Sequence, residues 1–519
     1  MAQEVNVGRL FSAVCNRYGS RVAIKYANRN VTYTELDAMS NSLGTYLLCE
    51  GLKPNDVIAI VNTKGPEALA LMIACLKVGV AYTNIDRDNP VQRIESILGQ
   101  CCPRLVFLDC DASSALDDVC NRLGVKNCQL RDISSFPADN GLMARACNGI
   151  TGNRIAYIMF TSGSTGVPKG AVMTHQNVLN FIAWTTERFR ITPNDVFANI
   201  SPFYFDNSVF DFFSALFSGA ALVPVKKEVL SQPVALLDLI DDLGCTIWFS
   251  VPSMLIYLQT MKVLNNSRLR SIRAVVFGGE GFPKSELHKM YSKFANRMEF
   301  INVYGPTEAT CICSSYTLTD TDFGDLTGVP SLGTMNSNFD YLILNDQGQK
   351  AERGELCILG PNIGMGYYRD QERSNPVFLE YSEHGFYRDR MYKTGDLVYE
   401  SGGLLYFVGR VDNQIKHMGY RIELEEIELA LNALPKVTQA AAIYERVSAS
   451  YGKIIAFVAC EEDLDSAEVK AELKKILPEY MIPNVVRTCA LLPKNANGKV
   501  DRHKLREIIR DSGNVQHAA

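Results

Sequence analysis

The apolar positions of this chain fall into short, near-continuous runs separated by stretches of helical period. Val57–Val61 is one such run; Pro66–Val78 reads as the helix after it, and Ala81–Ile85 as the next strand. From residue 154 to 308 the alternation is cleaner. Strands are predicted over 155–160, 196–200, 221–225, 246–251, 274–277 and 300–304, with helical patterns between most of them. Strands that are apolar on both faces and alternate with helices predict an α/β fold of parallel sheets covered on both sides. Ligands bind such sheets at the carboxyl ends of the strands. Three of those ends carry loop chemistry: 161–170, Gly278-Gly279-Glu280 and 304–308. One shared cleft is expected.

From 317 to about 409 the pattern turns to short strands and glycine-rich turns, which predicts a small β subdomain. The remainder reads helix, strand, strand, helix, strand over 424–434, 439–444, 454–459, 467–477 and 485–492. That is a compact α+β domain of ordinary size. No repeat stands out, and only 512–519 looks like a loose tail.

A chain of 519 residues exceeds what one core supports, so two or more domains are expected. A net charge of −5 argues against nucleic acid or an anionic membrane as the main partner. The most apolar long run, 209–225, contains Asp211, a glycine and a proline, and reads as a buried helix followed by a strand. No secretory leader is read at the start, and the 15 cysteines form no framework; a reduced cytoplasmic location is expected. Cys311-Ile312-Cys313 lacks the spacer of a zinc knuckle.

The loop Thr161-Ser162-Gly163-Ser164-Thr165-Gly166-Val167-Pro168-Lys169-Gly170 directly follows a buried strand. Glycines can turn backbone N–H groups inward and hydroxyls add donors, which suits a phosphate cradle. It is not a Walker loop, because Pro168 precedes Lys169 and Gly170 follows it. Alone, such a stretch is equally well a flexible surface loop.

The wider chain resembles the adenylate-forming superfamily of acyl-CoA synthetases, luciferases and nonribosomal-peptide adenylation domains. It most resembles the stand-alone amino-acid adenylation domains and the D-alanine:carrier-protein ligases. The resemblance rests on LKVGVAYTNID (76–86), FTSGSTGVPKG (160–170), FDNS (205–208), YGPTEAT (304–310), YKTGDL (392–397), GRVDNQIKHMGYRIELEEIE (409–428), LPEYMIP (477–483) and NANGKVDR (495–502), in that order. It implies a large N-terminal domain over 1–409, a hinge at 410–412 centred on Asp412, and a small mobile domain over 413–519.

The resemblance further implies adenylation with ATP and Mg2+, followed by transfer to a thiol. Thr161, Ser162, Gly163, Ser164, Thr165, Gly166 and Lys169 would hold the β- and γ-phosphates. Gly278, Gly279 and Glu280 would flank the adenine, with Asn302 and Gly305 beside it and Tyr304 stacked on it. Thr307 would donate to the α-phosphate and Glu308 would bind the metal, a carboxylate suiting a hard cation. Asp396 would accept the ribose hydroxyls, with Phe407 and Arg410 close by. Lys499, in a polar glycine-containing loop, would bridge the substrate carboxylate and the α-phosphate as the catalytic cation. After rotation about the hinge, Lys416, Gly419 and Tyr420 would line a pantetheine tunnel.

Asp206 distinguishes amino-acid activators within this superfamily, and a costly buried carboxylate predicts a cationic partner, the substrate ammonium. By offset from the motifs, the other pocket walls are expected at Asn207, Phe210, Phe249, Val275, Phe277, Val303, Cys311 and Ile312, with Lys499 on the carboxylate. None of the former is charged, so a neutral side chain is expected, and three phenylalanines favour a small or compact apolar one.

One departure stands in Ala81-Tyr82-Thr83-Asn84-Ile85-Asp86, where relatives place a proline at the position of Asn84. It is expected to lie far from the cleft and to alter only a loop, with an effect on docking left open. No carrier segment follows NANGKVDR, so the acceptor is expected to be a separate carrier protein bearing phosphopantetheine. The other reading is a domain excised from a longer synthetase. Two other functions stay open: a CoA ligase for a non-amino carboxylate, and an ATP-binding scaffold without catalysis.

Overall fold

The computed structural model describes residues 4–111, 113–383, 385–386, 388–447, 452–460, 464–494 and 500–516, with side chains up to 509. The chain packs as two compact units. One comprises 1–87, 98–160 and 169–411; the other comprises 88–97, 161–168 and 412–519. The division between the large unit and the C-terminal segment falls between Val411 and Asp412.

The first unit holds two parallel-rich sheets. In the larger, the strands Val22–Lys25, Ala221–Pro224, Val196–Asn199, Ile247–Ser250, Ala274–Gly278 and Glu299–Tyr304 lie side by side and parallel, with antiparallel strands at both edges. In the smaller, Lys126–Gln129, Leu105–Leu108, Val57–Val61, Ala81–Ile85 and Ile155–Thr161 are parallel and Lys169–Thr174 lies at the edge. The expected strands are therefore present, but the loop-bearing ends belong to two sheets. Ile155–Thr161 lies in one, and Ala274–Gly278 and Glu299–Tyr304 lie in the other.

The helix Pro66–Val78 shows how these sheets are joined. Gly65 caps it, Pro66 occupies its first turn and Gly79 closes it at φ 73°. Every residue from Ala68 to Val78 is buried, and its side chains share one core with residues of both sheets, among them Ile58, Tyr157, Phe249 and Val303. Its one charged residue in that stretch, Lys77, is paired with Asp37 at 2.6 Å, so the helix has no face to give to water and is enclosed.

The third sheet is antiparallel: Asp340–Leu344, Arg353–Leu359, Asp389–Ser401 and Phe378–Tyr381, with Leu404–Arg410 paired to Asp389–Ser401. It is the β subdomain the turn pattern predicts. In the second unit a hairpin, Gln414–His417 with Tyr420–Glu423, precedes the helix Leu424–Asn432 and a sheet of Val437–Arg446, Gly452–Cys460 and Val485–Cys489. The expected loose tail is corrected over 512–516, which the helix Arg502–Gln516 includes; 517–519 lie outside the described residues. Leu505 and Ile509 anchor that helix in an apolar cluster with Ala441, Ile443 and Phe457. Among the described residues no helix is long and apolar enough to cross a membrane.

His175 opens the helix His175–Arg188 in a fully buried position, and its Nδ1 accepts the Val7 N–H at 3.1 Å. Burial lowers its pKa from 6.5 to about 4, so it sits neutral inside the fold. The unfolded chain binds a proton there at a higher pH than the folded one. Its contribution is therefore complete above about pH 6.5 and is lost as pH falls toward 4, up to about 3 kcal/mol. Urea unfolding of wild type and His175→Gln should show a stability gap at pH 7 that narrows by pH 4.5. A constant gap would remove this titration from the acid lability of the fold.

Candidate active site

In the first unit the ends of the strands Ala274–Gly278 and Glu299–Tyr304 bring several of the expected residues together. Gly278 and Val303 are register partners, and a Cβ on Gly278 would lie 2.4 Å from the Val303 carbonyl oxygen. Gly279 follows at φ 87°, a conformation that favours glycine. The turn after Tyr304 is equally tight, since a Cβ on Gly305 would meet the Cys311 carbonyl oxygen at 2.2 Å. Both glycines are dictated by close backbone approach.

Two side chains meet at Asp396, which is 3% exposed. Arg410, its register partner on the neighbouring strand, places Nη1 2.6 Å from Oδ1. Tyr304 donates its hydroxyl to Oδ2 at 2.6 Å, and burial beside this carboxylate pushes the phenol pKa well up. Asn302 donates to the Ser331 carbonyl at 2.7 Å and so ties its strand to a neighbouring loop. Glu280 accepts the Ser253 N–H at 2.7 Å at the start of the helix Pro252–Thr260. Phe407 is exposed.

The turn 305–310 aims two expected residues differently. The Thr307 hydroxyl donates to Asp206 Oδ2 at 2.6 Å. Glu308 is fully buried and accepts the Tyr367 hydroxyl at 2.7 Å on Oε1. Lys169 stands over the Tyr367 ring, its Nζ 5.1 Å from the centroid. Tyr367 escaped sequence reasoning because it sits in an irregular, glycine-rich segment with no periodicity to mark it. Among the described residues no three His, Cys, Asp or Glu side chains gather as a metal cage. One carboxylate of this kind, completed by phosphate oxygens and water, fits the way Mg2+ is normally held.

Asp206 stands partly buried at the start of the helix Asn207–Leu216. Phe210, Phe249, Val303, Cys311 and Ile312 share one apolar cluster. Phe210 packs edge-on against Phe249 at 5.3 Å and against Phe189 at 4.9 Å. Burial, with Asp206 and Asp211 near, pushes the Cys311 thiol well up and keeps it unreactive. Asn207 carries a buried Nδ2 with no partner among the described residues. Val275 and Phe277 are corrected: they belong to a separate core, where Phe277 packs on Phe282 at 5.2 Å. Successive strand residues alternate faces, so Val276 instead shares the cluster of Phe249 and Val303. The offset is one residue.

Asn84 is also corrected. It lies in the buried strand Ala81–Ile85, not in a loop, and donates to the Phe203 carbonyl at 3.2 Å, three residues from Asp206.

The second unit contains the glycine loop together with 412–519. The Ser162 hydroxyl donates to the Arg421 carbonyl at 2.7 Å. The Gly163 N–H reaches Glu426 Oε2 at 3.3 Å, and Glu426 pairs with Arg93 at 2.6 Å in a nearly closed environment. Ser164 and Thr165 are exposed, and Gly166 turns at φ 76°. Gly419 makes the hairpin turn at φ 82°, and Tyr420 stacks on Tyr480 at 3.8 Å. Lys416 faces Arg421 in register. Lys499 lies outside the described residues.

Residues 11–368 match the family described as AMP-binding enzyme, and residues 426–499 match the AMP-binding enzyme C-terminal domain. D-alanine--D-alanyl carrier protein ligase of Bacillus mycoides (strain KBAB4) is 31% identical over 494 residues, 93% of this chain and 96% of that protein. Gramicidin S synthase 2 of Brevibacillus brevis is 32% identical over 510 residues, 97% of this chain. The chain spans only 11% of that synthase's length. A solved structure of an NRPS protein containing adenylation and PCP domains, bound to a vinylsulfonamide inhibitor, superposes with a TM-score of 0.83 at 25% identity. It covers 96% of this chain and 84% of that one. The Vibrio cholerae adenylation domain AlmE, solved with glycyl-adenosine-5'-phosphate, shares the fold with a TM-score of 0.83 at 24% identity, covering 98% and 99%.

Removing the Asp396 carboxylate leaves the Arg410 guanidinium, 10% exposed, without its counter-charge. Asp396→Ala should cost about 3–5 kcal/mol of stability, and Tyr304→Phe about 1–2 kcal/mol. Urea unfolding measures both. The Asp396→Ala, Arg410→Met double variant should lose less than the two single losses added together; strict additivity would refute the pairing.

Proposed function

The chain belongs to the family of AMP-binding enzymes, which are adenylate-forming ligases, and on that premise we propose that it activates a small, neutral amino acid for a carrier protein. The carboxylate oxygen of the amino acid attacks the α-phosphorus of ATP. The bond from that phosphorus to the bridging oxygen breaks, and pyrophosphate leaves. The sulfur of a phosphopantetheine thiol, deprotonated on attack, then displaces AMP from the acyl carbon and leaves a thioester.

The observation that carries this reading is the 2.6 Å contact between Thr307 and Asp206. It joins the donor proposed for the α-phosphate to the carboxylate proposed for the ammonium, so the reacting carboxylate would lie beside both. Asp206 binds the ammonium in exchange for, or alongside, the Thr307 hydroxyl. Thr307 then donates to the phosphate as charge accumulates on it. Asp396 takes the ribose hydroxyls through the lone pairs that Tyr304 and Arg410 leave, a carboxylate having about four acceptor sites. Lys169 and the loop 161–166 hold the outer phosphates, and Lys499 spans the two reacting anions. Mg2+, held by Glu308 together with phosphate oxygens, supplies charge neutralisation when bound.

The pocket supports a neutral and compact side chain. Phe210 and Phe249 fill it edge-to-face, and its walls carry no charge to partner a cationic or anionic substrate. The orphaned Asn207 amide offers a donor, which a substrate ammonium could not use. The named activity of the D-alanyl carrier protein ligase relative is of the same class. The segment around Asp412 serves as the hinge, Gly419 and Tyr420 line the thiol's approach, and the acceptor is a separate carrier protein.

Exchange of labelled pyrophosphate into ATP should depend on one or two of glycine, alanine of either hand, serine and β-alanine. Exchange supported only by des-amino acids would overturn the amino-acid reading in favour of a CoA ligase. Lys499→Ala should lower that exchange by at least about 100-fold while the unfolding midpoint stays put. Near-wild-type exchange by the variant would remove Lys499 from the mechanism.

A further inference from the structure

A buried polar network lies behind the segment that presents Asp206, and the mechanism above makes no use of it. Lys64 is 6% exposed, yet its Nζ reaches the carbonyls of Asn199 at 2.8 Å and Ile200 at 3.1 Å. Its backbone is held at φ 68°, a left-handed conformation that a lysine adopts only at a cost of about 1–2 kcal/mol. That conformation is clamped from both sides. The Lys64 N–H donates to Asn62 Oδ1 at 2.8 Å, and its carbonyl accepts the Tyr26 hydroxyl at 2.7 Å. Asn62 in turn donates to Asn84 Oδ1 at 2.9 Å, and Asn84 Nδ2 donates to the Phe203 carbonyl at 3.2 Å.

The opposite side of the segment is tied to the helix that Asp206 begins. Asn199 Nδ2 donates to Asp211 Oδ2 and to the Ser201 carbonyl, each at 3.0 Å. Three of the five carbonyls from Asn199 to Phe203 are therefore held by side chains reaching across from the other sheet or its loops. A fourth, Ser201, is held by the segment's own Asn199. Asn199 ends the strand Val196–Asn199, and its carbonyl also accepts the Val225 N–H at 3.1 Å; beyond it the segment has no ladder to satisfy its backbone, so the groups that hold its carbonyls determine where it sits.

We propose that Lys64 and Asn84 are positioning residues for substrate recognition: by holding the carbonyls of Asn199, Ile200 and Phe203 they fix the segment that presents Asp206 to the ammonium. The proposal rests on the reading of Asp206 as the ammonium acceptor. Burial lowers the Lys64 amine to about 7 against the pull of Asp211. Either protonation state supplies the two donors that the carbonyls need. Lys64 touches neither substrate nor nucleotide in this scheme, and its effect travels through the backbone of 199–206. An ammonium–carboxylate contact is sensitive to displacements of well under an ångström, whereas adenosine recognition at Asp396 is not attached to this segment.

Two non-hydrolysable probes separate ammonium recognition from everything else: glycyl-sulfamoyl-adenosine and its des-amino counterpart, acetyl-sulfamoyl-adenosine. Both are small enough for any pocket and differ only in the ammonium. The full chain is titrated with each by calorimetry, and the ratio of the two Kd values is the readout. Wild type should prefer the glycyl probe by on the order of 100-fold, the range of a charge-assisted contact. Lys64→Met and Asn84→Ser should each reduce that ratio about 10-fold while acetyl-probe affinity stays within about 3-fold. Lys64→Arg, which keeps donors and charge, should retain more of the ratio than Lys64→Met. An unchanged ratio in both variants, or equal weakening of the two probes, overturns the proposal. If Lys64→Met fails to fold, Asn84→Ser decides alone. Asp206→Asn tests the underlying reading: it should abolish the preference. Retention of the preference by that variant, or its absence in wild type, overturns the ammonium reading and this proposal with it. Loss with Asp206→Asn but not with Lys64→Met or Asn84→Ser sinks the positioning role alone.

Discussion

The burial of the helix Pro66–Val78, complete from Ala68 onward, is the constraint on which the large unit depends. Its buried Lys77 is paired with Asp37 at 2.6 Å, and the helices Val7–Tyr18, Tyr33–Cys49 and Asn140–Asn148 and the strand Ala81–Ile85 pack around it, in a core that residues of both sheets complete. Gly278, Gly279, Thr307 and Glu308 stand at strand ends and in the turns beyond them.

Several charged and polar groups that enter the interior come with partners. Asp396 shares its carboxylate between an arginine and a tyrosine, and Glu308 is met by Tyr367. Lys64 is met by carbonyls, and Asp211 by Asn199, while burial pushes the Lys64 amine down and the Asp211 carboxyl up. Unpaired, each of these would cost several kcal/mol, so the partners are part of the fold as much as of the site. The pairing is not complete, since Asn199 Oδ1 and Asp211 Oδ1 are buried with no partner among the described residues.

The same logic separates what the two units contribute. The large unit supplies fixed groups on strand ends. The small one combines the glycine loop with 412–519 and binds Gly163 to a buried Glu426–Arg93 pair.

The order of apolar runs and the spacing of glycines are enough to predict the strands and the β subdomain, and the motif residues nominate the candidate site. Those features are local, and periodicity and turn chemistry act locally. Counting along the sequence put Val275 and Phe277 in the pocket. Strand alternation turns them away and brings in Val276, a difference of one residue that only the pleat resolves. Asn84 read as a loop substitution remote from the cleft, and Tyr367 was not read as a site residue at all. Their roles come from contacts 119 and 59 residues away along the chain. The tail reads as loose because its composition is polar, but 512–516 continue a helix that Leu505 and Ile509 anchor in a core elsewhere. The sequence by itself determined the elements, the family and the chemistry on offer. Tertiary structure alone decided which faces meet, because side-chain burial and long-range hydrogen bonds depend on where distant segments come to rest.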